Sequence, residues 1–315
     1  MSVQASFLAA VLPISAYLFF LWYADRFERE SFLDILKHFF WGALGAVFLS
    51  LLGGKIYSNI LEFFIPKGEK LLFIESIFMA PLFEELSKAT FLFLTLRSRK
   101  IDNVTDGLIF GGSIGLGFGM VENFFYFILF SSNMKEWILL VLFRTFFSAL
   151  MHTISTATAG AFFAKSLYSG SSSKILFYTA GISLAILIHF IWNISVTYES
   201  SFYLGLVLML ILIGLFITYF LKQRTYERKI IINELKEECD EGIIPYHHLP
   251  ILTSAMKDKK GWINEDIRKE YVESATKLAF RKDQLKKVNK DFDFYKKGIM
   301  FYKNRLIELA QNDES

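Results

Sequence analysis

The sequence predicts an all-α polytopic membrane protein with about seven transmembrane helices, or eight if residues 56–65 dip into the bilayer, and a C-terminal helical cytoplasmic domain. Three observations predict it. Hydrophobic residues make up 53% of the 315, with 35 Phe, and mean hydropathy is +0.38, a balance that soluble domains do not reach. Seven stretches attain the roughly 20 apolar residues needed to span a hydrocarbon core. Charge, finally, gathers at one end: 20 of the 34 Lys and Arg follow residue 221. The chain therefore divides into a transmembrane part, 1–221, and a charged tail, 222–315.

The first span covers about 5–24. No positive segment precedes it, so it is expected to stay as a helix rather than be cleaved as a signal peptide. The second covers 33–53, with His38 near its start expected at the interface. Residues 56–65 are short and amphipathic and fit an interfacial piece. The third span, 71–96, carries Glu84, Glu85 and Lys88 near its middle. In the fourth, 104–130, Gly107, Gly111, Gly115 and Gly119 recur every four residues, a ridge that lets another backbone approach closely. The Glu84–Glu85 helix is the expected neighbour, and Asp106 is placed to cap the start. The fifth, 136–168, is long enough to tilt. The sixth and seventh cover 174–198 and 201–221.

The tail begins as a charged helix over 225–241 that Gly242 stops. Pro245 and Pro250 mark a loop and Gly261-Trp262 a turn, and Cys239, His247 and His248 are expected in solvated loops of the tail. From about 264 to 310 apolar residues recur in sevens, through Leu278, Leu285, Phe292, Ile299 and Leu306. Val288, Tyr295, Tyr302 and Leu309 form a second seam. The pattern predicts a coiled coil, or a helical hairpin broken near Gly298. Self-association and a small cap packed on itself are equal readings of it.

Arg97, Arg99, Lys100, Lys165, Lys174 and Lys222 fall in loops on one side, joined by Arg26 and Arg29 if seven spans are present. That bias places the tail in the cytoplasm. The net charge of +3 is too small to suggest nucleic acid as a partner. The single cysteine excludes an intramolecular disulfide framework and a Cys-rich zinc site.

Ionisable groups inside the spans carry the functional signal. A charge at the bilayer centre costs roughly 2.5–3.5 kcal/mol on insertion scales, so four helices that each tolerate one suggest a shared polar site. The candidates are Glu84, Glu85 and Lys88, then Glu122 and Asn123, then Arg144 and His152, then His189 and Asn193. The glutamates and histidines fall at depths that allow one layer toward the outer half of the membrane. Lys88 is i+3 from Glu85 and i+4 from Glu84, so it can pair one glutamate and leave the other as a base. Each group also has a structural reading. Glu84–Lys88 suits a buried ion pair, His152, Asn123 and Asn193 suit interhelical hydrogen bonds, and Arg144 suits a carboxylate partner or an interfacial residue.

Taken in order, Glu84-Glu85-x-x-Lys88, Asp106-Gly107 through Phe118-x-x-x-Glu122-Asn123, Arg144 with His152, and His189-x-x-Trp192-Asn193 resemble the PrsW-type intramembrane proteases. These are related to the CAAX prenyl proteases and CAAX-protease-like proteins, in which a histidine stands where this chain has Glu122. The resemblance covers about residues 70–200. It implies hydrolysis of peptide bonds in membrane-anchored proteins, anti-sigma factors among them, in a bacterial cytoplasmic membrane.

One glutamate of the pair would then take a proton from water and return it to the leaving amine. His189 and Asn193 would donate hydrogen bonds to the oxyanion. Two versions stay open. In one, His152, His189 and Glu122, or a member of the pair, hold Zn2+ with an open water position. In the other, Glu and His activate water without a metal. The rival classes are an ion- or proton-coupled transporter, against which no inverted repeat or paired broken helices are seen, and a non-catalytic membrane scaffold of the same fold.

Overall fold

The computed structural model describes residues 1–288 and 292–313, and every regular element among them is a helix. α1 is Val3–Ala24, α2 is Phe32–Leu61, α3 is 69–97, α4 is Val104–Leu129, α5 is Met134–Ser166, α6 is Ser171–Thr197 and α7 is Glu199–Glu234. Four more follow: α8 (Lys236–Asp240), α9 (His248–Leu252), α10 (Glu265–Lys287) and α11 (Phe292–Asp313). Among the described residues, six helices are long and apolar enough to cross a membrane: α1, α2 and α4 to α7. α3 is also long enough, but Glu75, Glu84, Glu85 and Lys88 interrupt its apolar run. Residues 56–61, read from the sequence as part of a separate interfacial piece, are the last turns of α2.

Two compact units are present. The first comprises Met1–Ala24, Glu30–Leu167 and Ser171–Phe220; the second comprises Asp25–Arg29, Tyr168–Gly170 and the chain from Leu221 on. In the first unit α4 is the axis, and every residue from Thr105 to Gly119 is buried. Asn103 and Asp106 start it with a reciprocal capping box: the Asp106 amide donates to the Asn103 side chain and the Asn103 amide to the Asp106 carboxylate.

The glycine ridge meets α5 rather than the expected α3. A Cβ at Gly107, Gly111 or Gly115 would stand 2.2, 2.4 and 2.2 Å from the carbonyl oxygens of Gly160, Thr156 and His152. α5 offers a small face of its own there, Ala149, Thr153, Thr156, Ala157 and Gly160, so two flat surfaces meet. On the other side of α4, Gly117 abuts the Phe39 carbonyl, and Gly42 of α2 abuts that of Ile114. His38, expected at the interface, faces the interior of the helix bundle. It is buried, its ring nitrogens meeting the Asp34 carbonyl and Thr95 Oγ1, and it stacks on Phe110.

Three helices contain a π-helical turn: Trp41–Ala46 in α2, Glu75–Met79 in α3 and Arg144–Ser148 in α5. Each takes up an extra residue and rotates the helix beyond it, a device found often at functional sites.

The second unit has its own core of Phe27, Ile231, Leu235, Ile244, Leu252, Tyr271, Leu278, Leu306 and Leu309. Cys239 and His248 are buried in it rather than solvated, and His248 Nδ1 lies 3.0 Å from the Tyr271 hydroxyl. Gly242 and Gly261 take positive φ, as the two expected turns require. α10 and α11 pack as a hairpin that closes part of the heptad seam on itself. Gly298 lies inside α11; the first helix ends at Lys287, and Val288 turns to extended backbone.

Candidate active site

α3, α4, α5 and α6 each deliver side chains to one polar cluster in the first unit. Glu85, Lys88, His152 and His189 are all at most 2% exposed, which removes the reading of a set scattered toward lipid. The Lys88 ammonium donates to Glu85 Oε1 at 2.7 Å and to His152 Nδ1 at 2.9 Å, lies 3.7 Å from Glu84 Oε2, and sits 4.0 Å over the Phe118 ring. His189 Nδ1 donates to Glu85 Oε1 at 3.0 Å, and the two imidazoles meet edge to face at 4.8 Å.

The glutamate pair is unequal. Glu85 accepts from Lys88, His189, Ser155 Oγ (3.2 Å) and Thr156 Oγ1 (3.2 Å), so both its oxygens are engaged. Glu84 Oε2 is buried without a hydrogen bond, 3.8 Å from His189 Nε2. Four donors fix the Glu85 carboxyl in place. Glu84, whose side chain is 15% exposed, is the less engaged carboxylate of the two.

Glu122 anchors the other end. Its Oε2 accepts from His152 Nε2 at 2.5 Å and from Arg144 Nη2 at 2.9 Å. Arg144 Nε donates to Asn123 Oδ1 at 2.9 Å, and its guanidinium lies 3.6 Å over the Tyr126 ring. Arg144 is therefore a carboxylate partner. Asn123 reaches the cluster through it. Asn193 does not join: its amide donates to the Ser76 carbonyl at 3.0 Å, tying α6 to the π turn of α3.

The donor set fits a divalent metal. Glu84, His152 and His189 offer ligand atoms within 4.8 Å of one another. Glu122, expected among the ligands, lies outside this group and holds His152 by Nε2, as Glu85 holds His189 by Nδ1. Each imidazole is thus oriented by a carboxylate, and His189 leaves its other nitrogen facing Glu84, the arrangement of metal-binding histidines. At His152 the other nitrogen meets the Lys88 ammonium, so a cation already stands there. Three carboxylates, Glu84, Glu85 and Glu122, share the cluster with two cations, Lys88 and Arg144.

Sequence reasoning missed Ser155, Thr156 and Tyr126 as members. The hydroxyls lie three and four positions after His152, so helical spacing would have placed them on its face. Arg144 is harder to place. Eight positions before His152, it would point about 80° away on a regular α-helix. The π turn starting at Arg144 absorbs one residue and brings both onto the face that holds Glu122.

Residues 30–220 match a family model described as PrsW family intramembrane metalloprotease. The Protease PrsW of Clostridioides difficile (strain 630) is 25% identical over 236 residues, 74% of this chain and 97% of that protein. That of Oceanobacillus iheyensis is 29% identical over 225 residues, 71% of this chain and 97% of that protein. No solved structure matches the chain.

Proposed function

The chain belongs to the PrsW family of intramembrane metalloproteases, and on that premise we propose that it cuts membrane-anchored proteins with Glu84 as the proton-transferring carboxylate. The observation that carries this assignment is the hydrogen-bond census of the pair: Glu85 is saturated by four donors, while Glu84 Oε2 has none. Glu84 removes a proton from water as the water oxygen bonds to the scissile carbonyl carbon. The same carboxyl then protonates the departing amide nitrogen as the C–N bond breaks. Lys88, 3.7 Å from Glu84, stabilises its charged form before the first step and after the second. His189, fixed by Glu85, aims Nε2 at the same space. Glu84 and His189, with His152 once Lys88 gives up its Nδ1, would hold the metal; Zn2+ suits two imidazoles and a carboxylate, and when bound it would supply Lewis acidity toward a carbonyl or a water.

The membrane placement has α3 as a seventh span and the tail in the cytoplasm, as the Lys and Arg bias favours. Substrates are membrane-anchored regulators, anti-sigma factors among them, in a bacterial cytoplasmic membrane. Self-association through the tail would use the exposed Phe294 and Phe301 of α11, because Leu278, Leu306 and Leu309 are spent inside the second unit.

Purified protein in proteoliposomes with a reporter transmembrane peptide tests the chemistry. Cleavage should fall at least ~10²-fold in Glu84→Gln. It should also stop with a chelator and return with zinc. Unchanged cleavage in Glu84→Gln would remove the assignment, and insensitivity to every chelator would remove the metal.

A further inference from the structure

The second unit contains a cavity of about 380 Å³ that is lined by Arg26, Arg224 and Arg228, with Phe27, Leu221, Thr225, Thr253 and Ser254 completing the wall. No carboxylate lines it. Among the described residues none of the three guanidiniums has an ion-pair partner, whereas Lys282 and Lys286 of the same unit pair with Glu238 and Glu234. Three like charges left to face one cavity repel one another, an arrangement that an anion reverses.

The wall is built rather than incidental. Leu221, Arg224, Thr225 and Arg228 fall at i, i+3, i+4 and i+7, so one stripe of α7 faces the cavity. Arg26 comes from the segment joining α1 to α2, and that segment is pinned. The buried Lys257 donates to the Arg26 carbonyl at 2.5 Å and to that of Phe27 at 3.5 Å, and Phe27 is part of the unit's core. Burial pushes the Lys257 pKa down, so its environment disfavours a charge that the bonds to these carbonyls retain.

We propose that this cavity binds a phosphate-bearing anion. Guanidinium forks and threonine or serine hydroxyls are the side chains that recognise phosphate oxygens, and the volume leaves room for a further polar substituent. Two sources offer that chemistry: the headgroup of an anionic phospholipid and a soluble phosphate. Leu221 and Ala24 both end apolar runs, so the cavity wall begins where those runs give way to charge. The lipid headgroup is the expected source. The site shares no residue with the peptidase cluster, so it stands or falls separately.

The test uses the full chain in zwitterionic detergent, with thermal stability read during two titrations, one with phosphatidylglycerol and one with inorganic phosphate. Wild type should be stabilised saturably by phosphatidylglycerol, with phosphatidylcholine inert. Arg224→Gln/Arg228→Gln and, separately, Arg26→Gln should weaken that binding about tenfold or more. Lys229→Gln/Lys236→Gln, which removes the same charge from exposed positions outside the cavity, should leave it unchanged. Saturation by inorganic phosphate alone would keep the site and assign it to a soluble ligand. The proposal is overturned if neither probe stabilises wild type, if the arginine variants bind as wild type does, or if the lysine control loses as much as they do.

Discussion

Adjacent glutamates on one helix do different work because their oxygens meet different donors. Glu85 is the nearest carboxylate to Lys88, itself fully buried, and removing that charge leaves the ammonium with Glu84 at 3.7 Å as its remaining anion. Glu85→Gln should therefore lower stability by about 3 kcal/mol or more, the range for breaking a buried pair. Glu84→Gln, which relieves an oxygen without a hydrogen bond, should keep or raise the melting temperature while cleavage fails. Thermal unfolding of the two variants beside wild type separates them, and equal destabilisation would show that the carboxylates are equivalent.

Arg144 acts through other residues. Its planar fork serves Glu122 with one nitrogen and Asn123 with another, while its face covers Tyr126. A lysine keeps the charge and loses that geometry. Arg144→Lys should lower kcat about tenfold or more with KM little changed, because it loosens the carboxylate that orients His152. A change confined to KM would place Arg144 in substrate binding instead.

Among the elements, α4 and α5 set the position of His152 through backbone contact. The Gly115 hydrogen faces the His152 carbonyl, and an added methyl would stand 2.2 Å from that oxygen. Gly115→Ala must push the two helices apart, moving His152 from both Lys88 and Glu122. A loss of about 1–3 kcal/mol and of most activity is expected, read by thermal unfolding and the reporter assay. Gly214→Ala, at a position with open space around it, should change neither. The π turns act at the same scale. They add no chemical group, yet without the one at Arg144 the arginine and His152 would face different neighbours.

At the scale of the whole molecule, the placement of the loops relative to the membrane is the open quantity that labelling reads directly. The native thiol is a weak background: Cys239 is buried, and burial, with Glu238 and Asp240 beside it, pushes its pKa up. A membrane-impermeant maleimide should label Ser132→Cys in intact cells and Lys259→Cys only after lysis. The reverse pattern would invert the topology, and labelling of both from outside would break the seven-span count.

Much of the architecture could be read along the chain, because spanning is a property of local composition: about 20 apolar residues either occur in succession or do not. The runs that became α1, α2 and α4 to α7 were legible for that reason, as were the turns at Gly242 and Gly261. The polar candidates were equally visible, since a charge inside an apolar run is conspicuous wherever it points.

Partner choice was not visible, because it depends on helix phase and on which surface lies opposite. Composition alone could not tell that the glycine ridge would meet the small face of α5 instead of α3, or that Asn193 would be held by the Ser76 carbonyl. Nor could it divide Glu84 from Glu85: two adjacent carboxylates differ by about 100° in direction on a helix, and only the packed bundle decides which of them the donors reach. The sequence by itself determined which residues would be costly to bury and therefore had to find one another. The tertiary structure decided which of them did.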